Sequence, residues 1–152
     1  MSTIYVDADA CPVKEEVCRV AARHGLPVVL VANSRMRVPA GADVRLVLVA
    51  GGQLDSADDW IAGRAAPGDI VVTADIPLAA RCVAAGAGAL DPRGRVYTED
   101  SVGDALATRN LMAQLREAGT ISGGGPPPLG KRERSLFLQR LDELAHRARR
   151  GA

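Results

Sequence analysis

Two segments of this chain share one order of residues: a short apolar run typical of a β-strand, an aspartate, and a proline that begins a helical pattern. Residues 4–12 read IYVDADACP, and residues 69–77 read DIVVTADIP. In an α/β protein, a strand that leads into a helix places its last residues at the carboxyl edge of the sheet, where such folds bind ligands. The repeated pattern therefore predicts an α/β fold with carboxylates gathered at one edge of its sheet.

Strand-like and helix-like segments alternate along the rest of the chain. We predict strands over about 3–7, 27–33, 44–50, 69–73, 87–90 and 96–98. We predict helices over about 12–24, 57–65, 77–85, 102–118 and 131–149. This alternation favours a three-layer α/β/α fold with a mainly parallel central sheet, because right-handed crossovers cover both faces of the sheet with helices. In a strand order of 3-2-1-4-5, strands one and four are neighbours, and Asp7 and Asp9 face Asp75.

Length and composition favour one globular domain. The chain has 152 residues, and no apolar run approaches the roughly 18 residues that cross a membrane. Its start lacks the pattern of a signal peptide, and its three cysteines lack CxxC spacing, which favours reduced thiols. We therefore expect a single cytoplasmic domain over residues 1–152. Within it we expect a Gly/Pro-rich loop over 119–130 and a basic C-terminal helix over 131–150.

Charge is distributed unevenly. The net charge is +1, so the chain as a whole lacks the basic excess of many nucleic-acid-binding proteins. Residues 131–152 carry seven Lys or Arg against three acids, a net of +4, whereas residues 1–130 carry twelve against fifteen, a net of −3. Two interpretations of the C-terminal helix stay open: a solvated surface helix, or a face that binds a partner.

Five aspartates form the predicted metal site, namely Asp7, Asp9, Asp55, Asp58 and Asp75. Carboxylate oxygens suit Mg²⁺ or Mn²⁺, and Asp55 and Asp58 share a helix face at i, i+3 spacing. Two like charges about 4 Å apart repel by roughly 4 kcal/mol at an effective dielectric of 20. A carboxylate cluster is therefore costly unless a cation offsets it. The competing interpretation is helix capping, because Asp9 and Asp75 each precede a predicted helix and acids are favoured there.

Four further residues are candidates for binding a phosphate group of a substrate. Asn33 ends the second strand and Thr73 precedes Asp75 by two residues, so both fall at the carboxyl edge. Arg37 lies in the loop after strand two, and Arg93 lies in a Pro-Arg-Gly turn. For each arginine, a purely solvated role also stays open.

At these residues the sequence resembles the YaiI/YqxD family of uncharacterised bacterial proteins. The resemblance covers nearly the whole chain. Its motifs are VDADACP at 6–12, VTADIPLA at 72–79, and shorter ones at 31–33, 37–39, 55–58, 92–94, 97–98 and 124–126. The family looks like a member of the PIN-like superfamily, which implies one PIN-like domain and metal-dependent nuclease chemistry. On that resemblance, Asp7 and Asp9 match the acid after strand one, Asp58 (with Asp55) the acid at a helix start, and Asp75 the acid after strand four.

Three functions stay open at the level of sequence. The first is a Mg²⁺- or Mn²⁺-dependent nuclease that hydrolyses RNA or single-stranded DNA, with Asp7, Asp9 and Asp75 as catalytic residues. Asp7 and Asp75 are then the chief metal ligands, and Asp9, Asp55 and Asp58 bind a second ion, directly or through water. The second is a phosphatase of the haloacid-dehalogenase type, in which Asp7 is the nucleophile; the order of the other motifs argues against it. The third is a non-catalytic module that binds nucleic acid or a protein.

Overall fold

The computed structural model describes residues 2–9, 11–40, 43–49, 56–119 and 128–150. The strands are β1 (Ile4–Asp7), β2 (Val28–Ala32), β3 (Val44–Leu48), β4 (Ile70–Val72), β5 (Gly88–Leu90) and β6 (Val96–Tyr97). The helices are α1 (Lys14–His24), α2 (Ser56–Ala62), α3 (Ile76–Ala84), α4 (Glu99–Glu117) and α5 (Lys131–Arg150). Every strand and helix predicted from the sequence is present, with ends that differ by one to three residues or not at all.

The strands form one six-stranded sheet in the order β3-β2-β1-β4-β5-β6. The first five are parallel, and β6 runs antiparallel to β5. The predicted order 3-2-1-4-5 is therefore confirmed. Val6 of β1 lies level with Leu30 of β2 and Val72 of β4, so the next residues, Asp7 and Thr73, lie side by side at the ends of their strands.

Helices α1 and α5 cover one face of the sheet. Val17 and Val20 of α1 pack in a cluster with Val6 and Leu30 of the sheet, and Phe137 of α5 joins the same cluster with no exposed surface. Leu141 and Ala145 of α5 are also fully buried there. The C-terminal helix is therefore a structural part of the core and not a purely solvated surface helix, while binding of a partner by its outer face stays a prediction. Its basic side chains lie mostly on the outer side.

The other face is covered by α2 and α3, with α4 packed beside α3. Ile61 of α2 and Leu78 and Cys82 of α3 bury against Val31 and Val71 of the sheet. A smaller cluster joins α3, β5, β6 and the first turns of α4, in which Val102 is buried. Helices on both faces of a mainly parallel sheet confirm the predicted three-layer α/β/α fold.

The start of α1 differs from the prediction. The helix begins at Lys14, and its N-cap position is Val13, with no side-chain hydrogen bond. Asp9 is therefore not the cap. Instead, the Lys14 ammonium reaches back and donates hydrogen bonds to the carbonyl oxygens of Ala8, at 3.2 Å, and Cys11, at 2.7 Å. These contacts hold the turn between β1 and α1, and the helix begins two residues later than predicted. The end of α1 is as predicted, since Gly25 has a left-handed φ of 68°.

Part of the predicted Gly/Pro-rich loop, residues 120–127, lies outside the described residues. No helix in the described part of the chain is long and apolar enough to cross a membrane.

Candidate functional site

Thr73 links two of the predicted aspartates at the carboxyl edge of the sheet. Its hydroxyl donates a hydrogen bond to Oδ2 of Asp7, at 3.0 Å, and accepts one from the backbone N–H of Asp75, also at 3.0 Å. Oδ1 of Asp75 accepts from the backbone N–H of Leu78 at 3.0 Å and caps α3. Asp75 is therefore a helix cap, as the competing interpretation predicted. It also lies beside Asp7, and the two carboxylates with Thr73 are called the Asp7–Thr73–Asp75 site below.

The environment of Asp7 disfavours its charge. Burial is the largest cause that raises the pKa of this carboxyl group above its usual 3.8, and the negative charges of Asp75 and Asp9 raise it further. The hydrogen bond from Thr73 acts in the opposite direction. A cation next to Asp7 would offset both the lost hydration and the repulsion between the carboxylates.

Asp9 lies at the same edge but in a different arrangement. Its side chain is exposed, and both of its oxygens accept hydrogen bonds from the backbone N–H of Asn33, at 2.9 and 3.2 Å. This contact ties the turn after β1 to the end of β2. Asp9 thus contributes charge near Asp7, while its oxygens are engaged with the protein backbone.

A cavity of about 280 Å³ brings Asp58 of α2 to the same place as Asp75. Its walls also include Arg81 of α3 and Arg109 of α4. Arg81 donates to Oδ1 of Asp59 at 2.9 Å, which links α2 to α3. The cavity therefore combines carboxylates with two arginines. Asp55, the remaining predicted ligand, lies outside the described residues.

The predicted phosphate-binding residues separate into different places. Thr73 is buried and belongs to the Asp7–Thr73–Asp75 site. Asn33 is exposed at the end of β2, and the structure records its backbone contact with Asp9. Arg37 lines a cavity of about 650 Å³ against the outer side of α1, with Lys14 and Arg19. Arg93 lines another cavity, of about 580 Å³, which also includes Ala74 next to Asp75.

Four of the five predicted carboxylates, all but Asp55, fall within the described residues. Among them, no group of three or more His, Cys, Asp or Glu side chains is placed to hold a metal ion. The pair Asp7 and Asp75 still has the chemistry for Mg²⁺, which is commonly bound through one or two carboxylates, with waters and substrate phosphates at its other positions. The donor set therefore fits a hard cation held together with a substrate.

Comparison with known proteins gives one family. The family model described as "Uncharacterized BCR, YaiI/YqxD family" matches residues 5–147. The chain belongs to this family. A UPF0178 protein of Rhodopseudomonas palustris is 58% identical, covering 100% of this chain and 96% of the relative. UPF0178 proteins of Azorhizobium caulinodans and Brucella ovis are 55% and 53% identical over 97% of this chain and 92% and 91% of their own lengths. The comparison with solved structures found no significant match.

Three arginines near the carboxyl edge of this YaiI/YqxD protein were not found from sequence. Arg81 follows Pro77 by four residues and shares its helix face, so the spacing held a signal that α3 turns this residue toward the cavity. Arg109 and Arg134 carry no such signal, because their positions depend on how α4 and α5 pack against the sheet. Tertiary packing alone brings them to the edge.

Proposed function

We propose that the protein is a Mg²⁺- or Mn²⁺-dependent phosphodiesterase that hydrolyses RNA or another single-stranded nucleic acid. The observation that carries the proposal is the Asp7–Thr73–Asp75 site. One hydroxyl joins the carboxylate of Asp7 to the backbone N–H of Asp75, at the carboxyl edge of a parallel sheet, where α/β proteins bind ligands. The raised pKa of the Asp7 carboxyl group shows that this arrangement works against the negative charge it contains.

The roles of the side chains follow from their positions. Asp7 and Asp75 would hold the ion, and Thr73 fixes the oxygen Oδ2 of Asp7 by its hydrogen bond. When bound, a divalent ion lowers the pKa of a water and offsets the charge that develops on the phosphate. Arg81 and Arg109 line the cavity beside Asp75, where their charges can attract a phosphate group of the substrate. Asp9 and Asp58 would act from the periphery by adding charge.

The proposal predicts slow cleavage of a short labelled single-stranded RNA in Mn²⁺ that stops in EDTA. Asp75→Asn should remove the cleavage, since it keeps the size of the side chain and lowers its charge. The matched control is Asp104→Asn, the same change on the exposed side of α4, which should cleave like the parent. A contaminating nuclease would act equally in all three preparations. Equal rates in Asp75→Asn and Asp104→Asn would therefore end the nuclease proposal and leave a phosphatase or a non-catalytic binding module.

A further inference from the structure

A second cavity opens beside the Asp7–Thr73–Asp75 site, on the side of α5. It has a volume of about 580 Å³ and lies between the turn before α1, the end of β4, the β5–β6 hairpin and the start of α5. Ala74 and Ile76 are in its wall, so it meets the polypeptide on both sides of Asp75. Its volume is within the range that binds small molecules.

The hairpin wall of this cavity is built rigidly. Oδ1 of Asp91 accepts the backbone N–H groups of Arg93 and Arg95, each at 2.9 Å. Gly94 between them has a φ of 93°, and a Cβ atom there would lie 2.9 Å from the backbone nitrogen of Phe137. Only glycine allows this turn to press directly against α5. The two arginines are therefore presented from a fixed turn.

The opposite wall is held by an ion pair. Arg134 of α5 donates hydrogen bonds to Oε2 of Glu16, at 2.9 Å, and to the carbonyl oxygen of Pro12, at 3.1 Å. Glu16 is buried in α1, so this contact anchors the start of α5 beside the cavity.

The lining combines cations with flat apolar surfaces. Arg93, Arg95 and Arg134 line the cavity with one acid, Asp91. Because Arg134 is paired with Glu16, the three cations and two anions carry a net charge of +1. The remaining walls include prolines, Leu129 and the mostly buried ring of Tyr97. Arginines bind phosphate through several hydrogen bonds at once, and apolar walls cover the faces of a base. One carboxylate is too few for a metal cage, and the volume is too small for a duplex.

We propose that this cavity binds one nucleoside monophosphate unit, with its phosphate at Arg93 and Arg95 and its base against the apolar walls. The proposal rests on the proposed function, because it makes this unit the nucleotide next to the scissile bond at the Asp7–Thr73–Asp75 site. The same chemistry is offered by a free nucleotide and by the phosphorylated end of a single strand.

The test is calorimetric titration in EDTA, so that metal plays no part. The probes are adenosine 5′-monophosphate, adenosine, inorganic phosphate, and an RNA tetranucleotide with and without a 5′-phosphate. The variants are Arg95→Gln, on the exposed rim, and Arg93→Gln. The matched control is Arg45→Gln, on the exposed side of β3 at the other edge of the sheet. We expect the monophosphate to bind at least tenfold more tightly than adenosine or phosphate, and Arg95→Gln to weaken it at least fivefold while Arg45→Gln does not.

Each outcome decides one point. Tighter binding of the 5′-phosphorylated tetranucleotide than of the free nucleotide assigns the cavity to a strand end, and equal binding assigns it to a free nucleotide. The cavity proposal is overturned if adenosine 5′-monophosphate shows no binding at about tenfold excess over the protein. It is also overturned if Arg95→Gln and Arg45→Gln bind the nucleotide with equal affinity. If that happens while Asp75→Asn still abolishes cleavage, the nuclease proposal survives. If nucleotide binding depends on Arg95 but RNA cleavage does not depend on Asp75, only the nuclease proposal is overturned.

Discussion

At the scale of single residues, one hydroxyl group decides the geometry of the site. Thr73 donates to Asp7 and accepts from the backbone of Asp75, so the spacing of two carboxylates depends on a buried side chain that carries no charge. The ionised form of Asp7 is disfavoured in this arrangement, because burial and two neighbouring carboxylates raise the pKa of its carboxyl group.

Asp7→Asn should therefore stabilise the metal-free protein at neutral pH. The pKa of the Asp7 carboxyl group is raised in the folded protein above its usual 3.8, so folding favours the protonated form. Ionisation of Asp7 therefore lowers the free energy of unfolding as the pH rises above that value. Asparagine keeps an oxygen for the Thr73 hydroxyl and has no charge. Urea unfolding in EDTA should show the gain at pH 7 and its disappearance near pH 3. Asp7→Ala is the control, since it also loses the hydrogen-bond acceptor. A loss of stability in Asp7→Asn at pH 7 would mean that the charge is structurally required.

At the scale of elements, Asp75 is the N-cap of α3 and, in the proposed function, a ligand of the metal ion, and substitutions can separate the two roles. As the N-cap of α3 it satisfies the N–H of Leu78, and replacing such a cap by alanine costs about 0.5–2 kcal/mol. Asp75→Asn should keep this contribution, because an asparagine oxygen caps equally well.

The proposed metal role of Asp75 should be lost in both variants, including the asparagine variant that keeps the cap. Millimolar Mn²⁺ should raise the melting temperature of the parent. Linkage gives a gain of about 2.7 kcal/mol in the free energy of unfolding when the ion is in hundredfold excess over its dissociation constant. Asp75→Asn and Asp75→Ala should both lose this shift, although only the alanine variant loses stability in EDTA. Scanning fluorimetry with and without EDTA measures both. A full Mn²⁺ shift in Asp75→Asn would make this residue a cap only.

The elements could be predicted well and their ends less well. Hydrophobic periodicity and turn residues marked each strand and helix. Right-handed crossovers limited the possible topologies, and the order 3-2-1-4-5 was one of those they allow. The predicted start of α1 was wrong, because helix propensity does not reveal the hydrogen bonds of Lys14 with the preceding turn. The buried face of α5 agrees with its sequence pattern, because Phe137, Leu141 and Ala145 are spaced i, i+4, i+8 on one face. Where that face packs depends on tertiary structure, which the pattern does not contain.

Truncating that face should be costly. Leu141 of α5 is fully buried. Leu141→Ala should destabilise the protein by about 2–5 kcal/mol, because the smaller side chain leaves a cavity in the core. His146→Ala, on the exposed side of the same helix, should change stability by less than about 0.5 kcal/mol. Chemical denaturation of both variants gives the comparison. Similar small effects would show that α5 is not part of the cooperative core.

At the scale of the whole molecule, the basic charge of α5 is divided between the two edges of the sheet. Arg134, near its start, lies by the cavity at the carboxyl edge. Arg147, near its end, lines a small cavity with Gly68, Asp69 and Gly88, residues that precede β4 and begin β5 and so mark the amino edge. Sequence could show that the helix is basic, but only its direction across the sheet shows which end can approach a substrate.

This direction predicts which charges control binding of single-stranded nucleic acid. Each phosphate contact adds roughly 0.7 to the slope of log affinity against log salt. Arg93→Gln with Arg95→Gln should therefore lower the slope by roughly 0.7, because both arginines contact one phosphate. Arg147→Gln with Arg150→Gln removes the same charge at the amino edge and should leave the slope unchanged. Substitution is the right comparison, because deletion of residues 131–152 would expose the core that Phe137 and Leu141 complete. Fluorescence anisotropy with a labelled oligonucleotide across a salt series measures both slopes. A lower slope in the Arg147 and Arg150 variant alone would place the nucleic acid at the amino edge, away from Asp7 and Asp75.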